Sequence, residues 1–226
     1  MARQLRAVAV GFPHHVVQRG NNRQAIFLDD DDRSVYLHLL KLYSTKYPTP
    51  LLAYCLMDNH VHLLAKALHE ESLPQMMHSL AACYAQYFNQ KYDRIGTLWQ
   101  GRYYSCIVGE ESYLWAAARY IEQNPRRAGM VQNDEDYPYS SAKSHVLGIP
   151  DPVLGEELFE KNQRQAYAAF LKESIPEELL KSIREATKRG NLFGSASFRD
   201  KMQRELNRTL ELRPQGRQPK GLVKCT

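Results

Sequence analysis

"LLAYCLMDNHVHLLAKA", residues 51–67, decides how the rest of the chain is read. The stretches 51–57 and 60–67 are apolar runs of strand length, and Asp58-Asn59 between them suits a tight turn, because both residue types tolerate positive φ. The spacing therefore predicts a β-hairpin. Side chains alternate faces along a strand, so His60 and His62 point the same way while Val61 enters the opposite layer. Two imidazoles about 7 Å apart at their Cα atoms either find polar partners inside the core or converge on a metal ion. The pair alone leaves both readings open.

Working outward, "HHVVQRG" (14–20) reads as a strand followed by the polar turn "NNRQ". Asp29 to Asp32 supply acidic caps for a helix carrying Val35, Leu39, Leu40 and Tyr43. Ser72 with Gln75 has the form of a capping box, and Leu73, Met76, Met77, Leu80, Tyr84 and Phe88 hold one face of the helix it opens. "YYSCIVG" (103–109) is a further strand, and residues 110–124 form a helix that the Asn124-Pro125 pair ends. This order predicts an α+β fold: a ferredoxin-like antiparallel sheet with helices packed on one face. The Pro-, Ser- and Gly-rich stretch 135–152 reads as a linker. Beyond it comes a helical extension, 149–212, with one helix running from about Ser174 to Gly190 and another over 195–210. A helix-turn-helix is one arrangement for these two, although the gap from Gly190 to Ser195 exceeds the usual turn. Residues 213–226 lack periodicity and read as a basic, disordered tail.

The 226 residues are 43% hydrophobic, enough for a proper core and unlike a disordered chain. No apolar run approaches the roughly 20 residues of a spanning helix, and the amino-terminal apolar stretch is shorter than a signal segment. A cytoplasmic protein without membrane contact is expected. Cys55, Cys83, Cys106 and Cys225 show no metal-ligand spacing and suit unpaired thiols in a reducing compartment. Net charge is only +5, but it is clustered. Arg3, Arg6, Arg19 and Arg23 precede any acid, and from Lys181 onward twelve Lys/Arg face four Asp/Glu. Such clustering suits a polyanion such as nucleic acid, or simply a solvated face.

In "SYLWAAARYIEQNPRRAGMV", Tyr120 and Asn124 stand at i and i+4, on one helical face. A carboxamide oxygen is a hard ligand suited to Mg²⁺ or Mn²⁺. If this helix crosses the sheet, His60, His62 and Asn124 would hold a metal with Tyr120 one turn away. Phosphodiester chemistry explains the set. A metal offsets the charge built up on attack, and a tyrosine nucleophile conserves the bond in a phosphotyrosine linkage. Tyr120 is otherwise an interfacial aromatic.

His60-Val61-His62 followed by "YIEQNPRRAGMV" closely resembles the single-tyrosine HUH transposases of the insertion-sequence type, and within them the bacterial REP-associated tyrosine transposases. "PHHVVQRGNNRQAIF", "GTLWQGRYYS" and "DYPYSS" resemble that subfamily too, so the likeness runs from about residue 9 to residue 145. It implies that residues 1–148 form the catalytic domain, with His60 and His62 as metal ligands, Asn124 completing the site and Tyr120 as nucleophile. It also implies cleavage of single-stranded DNA beside hairpin repeats, through a 5′-phosphotyrosine that can be rejoined. Arg126 and Asp58 depart from residues common in relatives; Asp58 would add negative charge beside the metal. Relatives in this subfamily act as monomers and their transposon cousins as dimers, and a monomer is slightly favoured.

Several basic and aromatic residues are candidates for contact with that DNA. Arg19, Asn21, Asn22, Arg23 and Gln24 are types that pair with base edges and phosphates. Trp99, Arg102 and Tyr103 mix aromatic and basic groups as strand-binding grooves do, although Trp99 suits a core equally well. The helical extension would add positive charge against a hairpin stem. Two rivals stay open: a domesticated DNA-binding protein with little catalysis, and a metal phosphodiesterase that uses water in place of tyrosine.

Overall fold

The computed structural model describes residues 7–109 and 111–206. Arg3, Arg6 and the 213–226 tail lie outside the described residues. The hairpin forms as read: β2 (Leu51–Met57) and β3 (His60–Lys66) run antiparallel with Met57 opposite His60 across the Asp58-Asn59 turn. That turn does not use positive φ, which among the described non-glycine residues falls on Asn22, Arg23 and Asp93. β1 (Pro13–Arg19) lies between β3 and β4 (Tyr104–Val108), antiparallel to both, with Val17 opposite His62. A short β5 (Leu192–Phe193) adds in parallel to β4, giving the order β2-β3-β1-β4-β5.

The α+β sheet is covered by helices on both faces rather than one. Every residue of β2 is buried, which an antiparallel strand with a wet face would not allow. One face carries α1 (Asp30–Lys46) and α2 (Ser72–Lys91), packed through Tyr36, Leu40, Met76, Leu80 and Tyr84 onto Val16, Leu56, Val61 and Leu63. The other carries α3 (Glu111–Glu122), then the short α4 (Asn124–Arg127) and α5 (Ala142–Leu147), and beyond them α6 (Arg164–Lys172) and α7 (Glu177–Arg189).

The caps explain local boundaries. The Asp29 side chain accepts from the Asp32 N–H and starts α1. Asp32 is fully buried, where desolvation alone would raise its pKa. Hydrogen bonds from the Leu28 N–H, Lys91, Tyr92 and Tyr87 outweigh that and hold it below the ordinary carboxylate value. The expected Ser72–Gln75 capping box does not form. Glu71 is the cap residue, and the Ser72 hydroxyl turns back to donate to the His69 carbonyl.

The stretch 135–152 is not a free linker. Tyr139 accepts from the Leu56 N–H and Cys55 bridges to Ser140, so this segment closes the outer edge of β2, where a bare strand would invite pairing. The expected boundary at 148/149 also runs through one core: Leu158, Phe159, Tyr167, Leu171, Ile183 and Phe193 share an apolar cluster with Ala117, Tyr120 and Ile121. The interval after α7 is occupied by β5, so α7 and α8 (Ala196–Glu205) do not make a helix-turn-helix.

Candidate active site

His62 lies on the sheet face that meets α3, and α3 delivers Tyr120 onto it. The Tyr120 ring meets the His62 ring edge-on at 5.6 Å between centroids, and the His60 ring stands 4.9 Å from that of His62. Tyr120 and His62 are buried and His60 is half-buried. Burial lowers the His60 pKa to about 4; the Arg19 charge acts in the same direction and Asp58 opposes it. His62 is held well below its ordinary value, first by burial and then by its neighbours His60 and His15. Both imidazoles are therefore neutral at pH 7, the form that ligates a metal.

Asn124 opens the turn after Tyr120 rather than closing α3, because the chain stays close to helical at Gln123 and continues through Pro125. Pro125 has no N–H for the Ile121 carbonyl. The Asn124 Nδ2 takes that place, donating to Ile121 O at 3.1 Å and to Tyr120 O at 2.8 Å. Its Oδ1 is thereby turned away from the helix and accepts from Arg127 Nη2 at 2.7 Å. The Arg127 guanidinium also lies over the Tyr120 ring, 4.6 Å from its centroid.

The donor chemistry fits a divalent cation. Two neutral imidazoles and an outward amide oxygen suit Mn²⁺ well and Mg²⁺ less well. Among the described residues no three or more His, Cys, Asp or Glu are placed to hold a metal ion by themselves, so a carboxylate-rich site is not present there. Asp58, expected to add charge, pairs with Arg33 at 2.6 Å.

The basic and aromatic candidates divide. Arg19 sits directly opposite His60 in the β1–β3 register, hence on the same face and at the site. Asn21, Asn22 and Arg23 are exposed on a tight loop that begins at Gly20, where a Cβ would collide with the Gln24 carbonyl oxygen. Gln24 holds that loop in place, donating to Leu98 O at 3.1 Å and accepting from Arg94 at 2.8 Å. Trp99 and Tyr103 are buried in the α2 core, and the Trp99 indole N–H donates to Ala81 O. With the exposed Arg102 they also line a cleft of about 740 Å³ beside α2.

Three residues were not singled out from the sequence. His15 lies edge to edge with His62, 5.2 Å between centroids and 5° between planes, with its Nε2 2.9 Å from His62 Nδ1, and its Nδ1 reaches Thr187 on α7. The "HH" at 14–15 was a visible signal, but only the β1–β3 register places His15 beside His62. Arg127 lies two turns beyond Tyr120, a spacing that carried a signal for one face. Thr187 had none.

The profile of the IS200-like transposases matches residues 10–124, a span covering every element of the cluster except Thr187 and Arg127. The chain belongs to the IS200-like transposase family. A Haemophilus influenzae protein designated a candidate REP-associated tyrosine transposase is 29% identical over 106 residues, 42% of this chain. The match spans 60% of that relative's length. A REP-associated tyrosine transposase solved bound to a REP hairpin shares the fold, with a TM-score of 0.53 and 16% identity over 71% of this chain and 94% of its own. No helix among the described residues is long and apolar enough to cross a membrane.

Proposed function

We propose that the chain nicks and rejoins single-stranded DNA at hairpin-forming repeats, with Tyr120 as nucleophile and Mg²⁺ or Mn²⁺ held by His60, His62 and Asn124. The observation that carries this reading is the Tyr120 ring set against His62, 5.6 Å between centroids, with Arg19 and Arg127 beside it. The solved relative bound to a REP hairpin supports the substrate class.

The Tyr120 oxygen attacks phosphorus, the bond from phosphorus to the 3′ oxygen breaks, and the departing oxygen takes up a proton as a free 3′-OH. The phenol loses its proton, and the 5′ phosphate stays on Tyr120. Attack by another 3′-OH reverses the exchange and frees the tyrosine, so one ester bond replaces another without an external energy source. The cation, when bound, neutralises charge on the phosphate. Arg127, over the tyrosine ring, and Arg19, beside His60, orient the strand through its phosphates.

The test uses labelled single-stranded hairpin repeats from DNA flanking the gene, incubated with Mn²⁺ or Mg²⁺ and run on a denaturing protein gel. A cation-dependent labelled adduct is expected from the wild type and not from Tyr120→Phe, which keeps hairpin binding. Equal cleavage by the Phe variant without an adduct would establish the water mechanism instead. Binding without cutting of any repeat would favour a domesticated binder.

A further inference from the structure

Both candidate metal-ligand histidines sit at the end of a hydrogen-bond chain, and each chain terminates in a backbone carbonyl. We propose that these chains fix His60 and His62 in the Nδ1–H tautomer and so present a bare Nε2 on each ring. Thr187, His15 and Asn59 are then positioning residues for the metal site. This rests on the metal reading given above for what the bare nitrogens do, but not for the tautomers themselves.

The first chain begins on α7. Thr187 Oγ1 lies 2.7 Å from Ile183 O, and between a hydroxyl and a carbonyl only the hydroxyl has a proton to give. With that proton spent, Thr187 Oγ1 can only accept from its other neighbours. His15 Nδ1, 2.8 Å away, must therefore carry hydrogen, and the Cys106 thiol at 3.3 Å must donate too. A neutral imidazole holds one N–H, which leaves His15 Nε2 as an acceptor. His62 Nδ1 stands 2.9 Å from it and is thus the donor. The reverse polarity would place the hydrogen on His62 Nε2 and block ligation; it would need the Thr187 hydroxyl to turn its proton to His15 Nδ1, leaving two oxygens 2.7 Å apart with no hydrogen between them.

The second chain begins in the Gly20–Gln24 loop. Arg23 adopts φ 59° and its carbonyl accepts from Asn59 Nδ2 at 3.2 Å. That contact settles which end of the Asn59 amide is the NH₂ group, a choice that otherwise rests on the surrounding hydrogen bonds. The Asn59 Oδ1 then faces His60 Nδ1 at 2.6 Å, and an amide oxygen accepts. His60 Nδ1 carries the hydrogen and its Nε2 is bare. Two segments far apart in sequence, α7 and a loop in left-handed backbone, thus set the same protonation pattern on neighbouring rings. The loop's strain has a use in this account: it aims a carbonyl at Asn59.

The experiment is long-range ¹H–¹⁵N correlation on metal-free, ¹⁵N-histidine-labelled protein at neutral pH, which separates protonated from bare ring nitrogens, followed by Mn²⁺ titration. His15, His60 and His62 are each expected to show a protonated Nδ1 and a bare Nε2. Thr187→Val removes the acceptor, so His15 and His62 should become tautomer mixtures while His60 is unchanged. Mn²⁺ affinity should fall on the order of tenfold, as loss of an outer-shell partner does. Thr187→Ser should restore both. Asn59→Ala, in the hairpin turn, should disturb His60 alone, giving a variant whose folding does not depend on the α7 packing. A wild-type His62 protonated on Nε2, or a Thr187→Val protein with unaltered His62 signals, would overturn the proposal. Rings in the stated tautomers that take up no Mn²⁺ would support the chains and overturn the metal reading instead.

Discussion

Replacing Asn124 with aspartate separates two views of this residue. By chemical type alone a carboxylate is the better ligand for a hard cation, so a residue that only binds metal should tolerate the change. The structure predicts a loss of stability. Asn124 Nδ2 donates to Tyr120 O at 2.8 Å and to Ile121 O at 3.1 Å, and Pro125 cannot replace it. Aspartate has no such donor, and the two bonds are worth about 1 kcal/mol each. The new charge also opposes the dipole at the end of α3, costing about 0.5 kcal/mol. Arg127, 2.7 Å from Oδ1 but solvent-exposed, returns about 0.5–1 kcal/mol. The net loss is about 2 kcal/mol, which lowers a urea midpoint by about 1 M for a slope near 2 kcal/mol/M. The carboxyl faces two carbonyl oxygens, so its folded pKa is raised, and once protonated it can donate to them. The deficit relative to wild type should therefore shrink as pH falls from 7 to 4. An Asn124→Asp protein as stable as wild type at pH 7 would refute this account of the turn.

Acid should weaken the fold through its buried histidines. Burial lowers His14 to about 4 and His15 to about 3, so these groups bind protons in the unfolded chain first; their contribution is full above about pH 6.5 and is lost as pH falls toward 4. Each should cost about 2 kcal/mol at pH 5 relative to pH 7, read from urea midpoints; a flat profile between those pH values would remove the effect. Gly20→Ala should destabilise by about 2 kcal/mol through the collision with Gln24 O and Ile26, measured by thermal unfolding, because the Gly20 backbone itself is ordinary. Arg19→Ala should weaken single-strand binding and reduce the slope of log affinity against log salt by about 0.7; an unchanged slope takes Arg19 off the phosphate path.

The hairpin and the pair of histidines were legible because strand alternation is local: two residues apart means one face. The α3 face was legible for the same reason, and it brought Tyr120 to the histidines. What escaped depends on long-range pairing. His15 joins His62 only because Val17 lies opposite His62 across two strands, a register that no single stretch announces. The second helical layer did leave a trace, since "LLAYCLM" lacks the alternation of a half-exposed strand, but element order alone assigned helices to one face. Composition misled at residues 135–152, where Pro, Ser and Tyr shape an edge cover instead of a tether. The Asp58-Asn59 turn formed without the positive φ its residue types allow, and the left-handed backbone went to Asn22 and Arg23 instead.

Around Tyr120, polar side chains from the end of α3 and the turn that follows fasten it to α6 and to α5. Arg119 donates to Phe170 O, Gln123 to Glu173 O and Leu171 O, and Arg126 to Leu171 O, while the fully buried Glu122 accepts from Tyr167, Ser141 and His145. The stretch that defines the family ends at residue 124, inside this junction. A gene fragment cut there would encode the helix that carries Tyr120 but none of its partners on α5 and α6, so the heritable unit of this protein is longer than the unit by which its kinship is recognised. Recombination that exchanged the extension between relatives would have to carry the matching face of α3 with it.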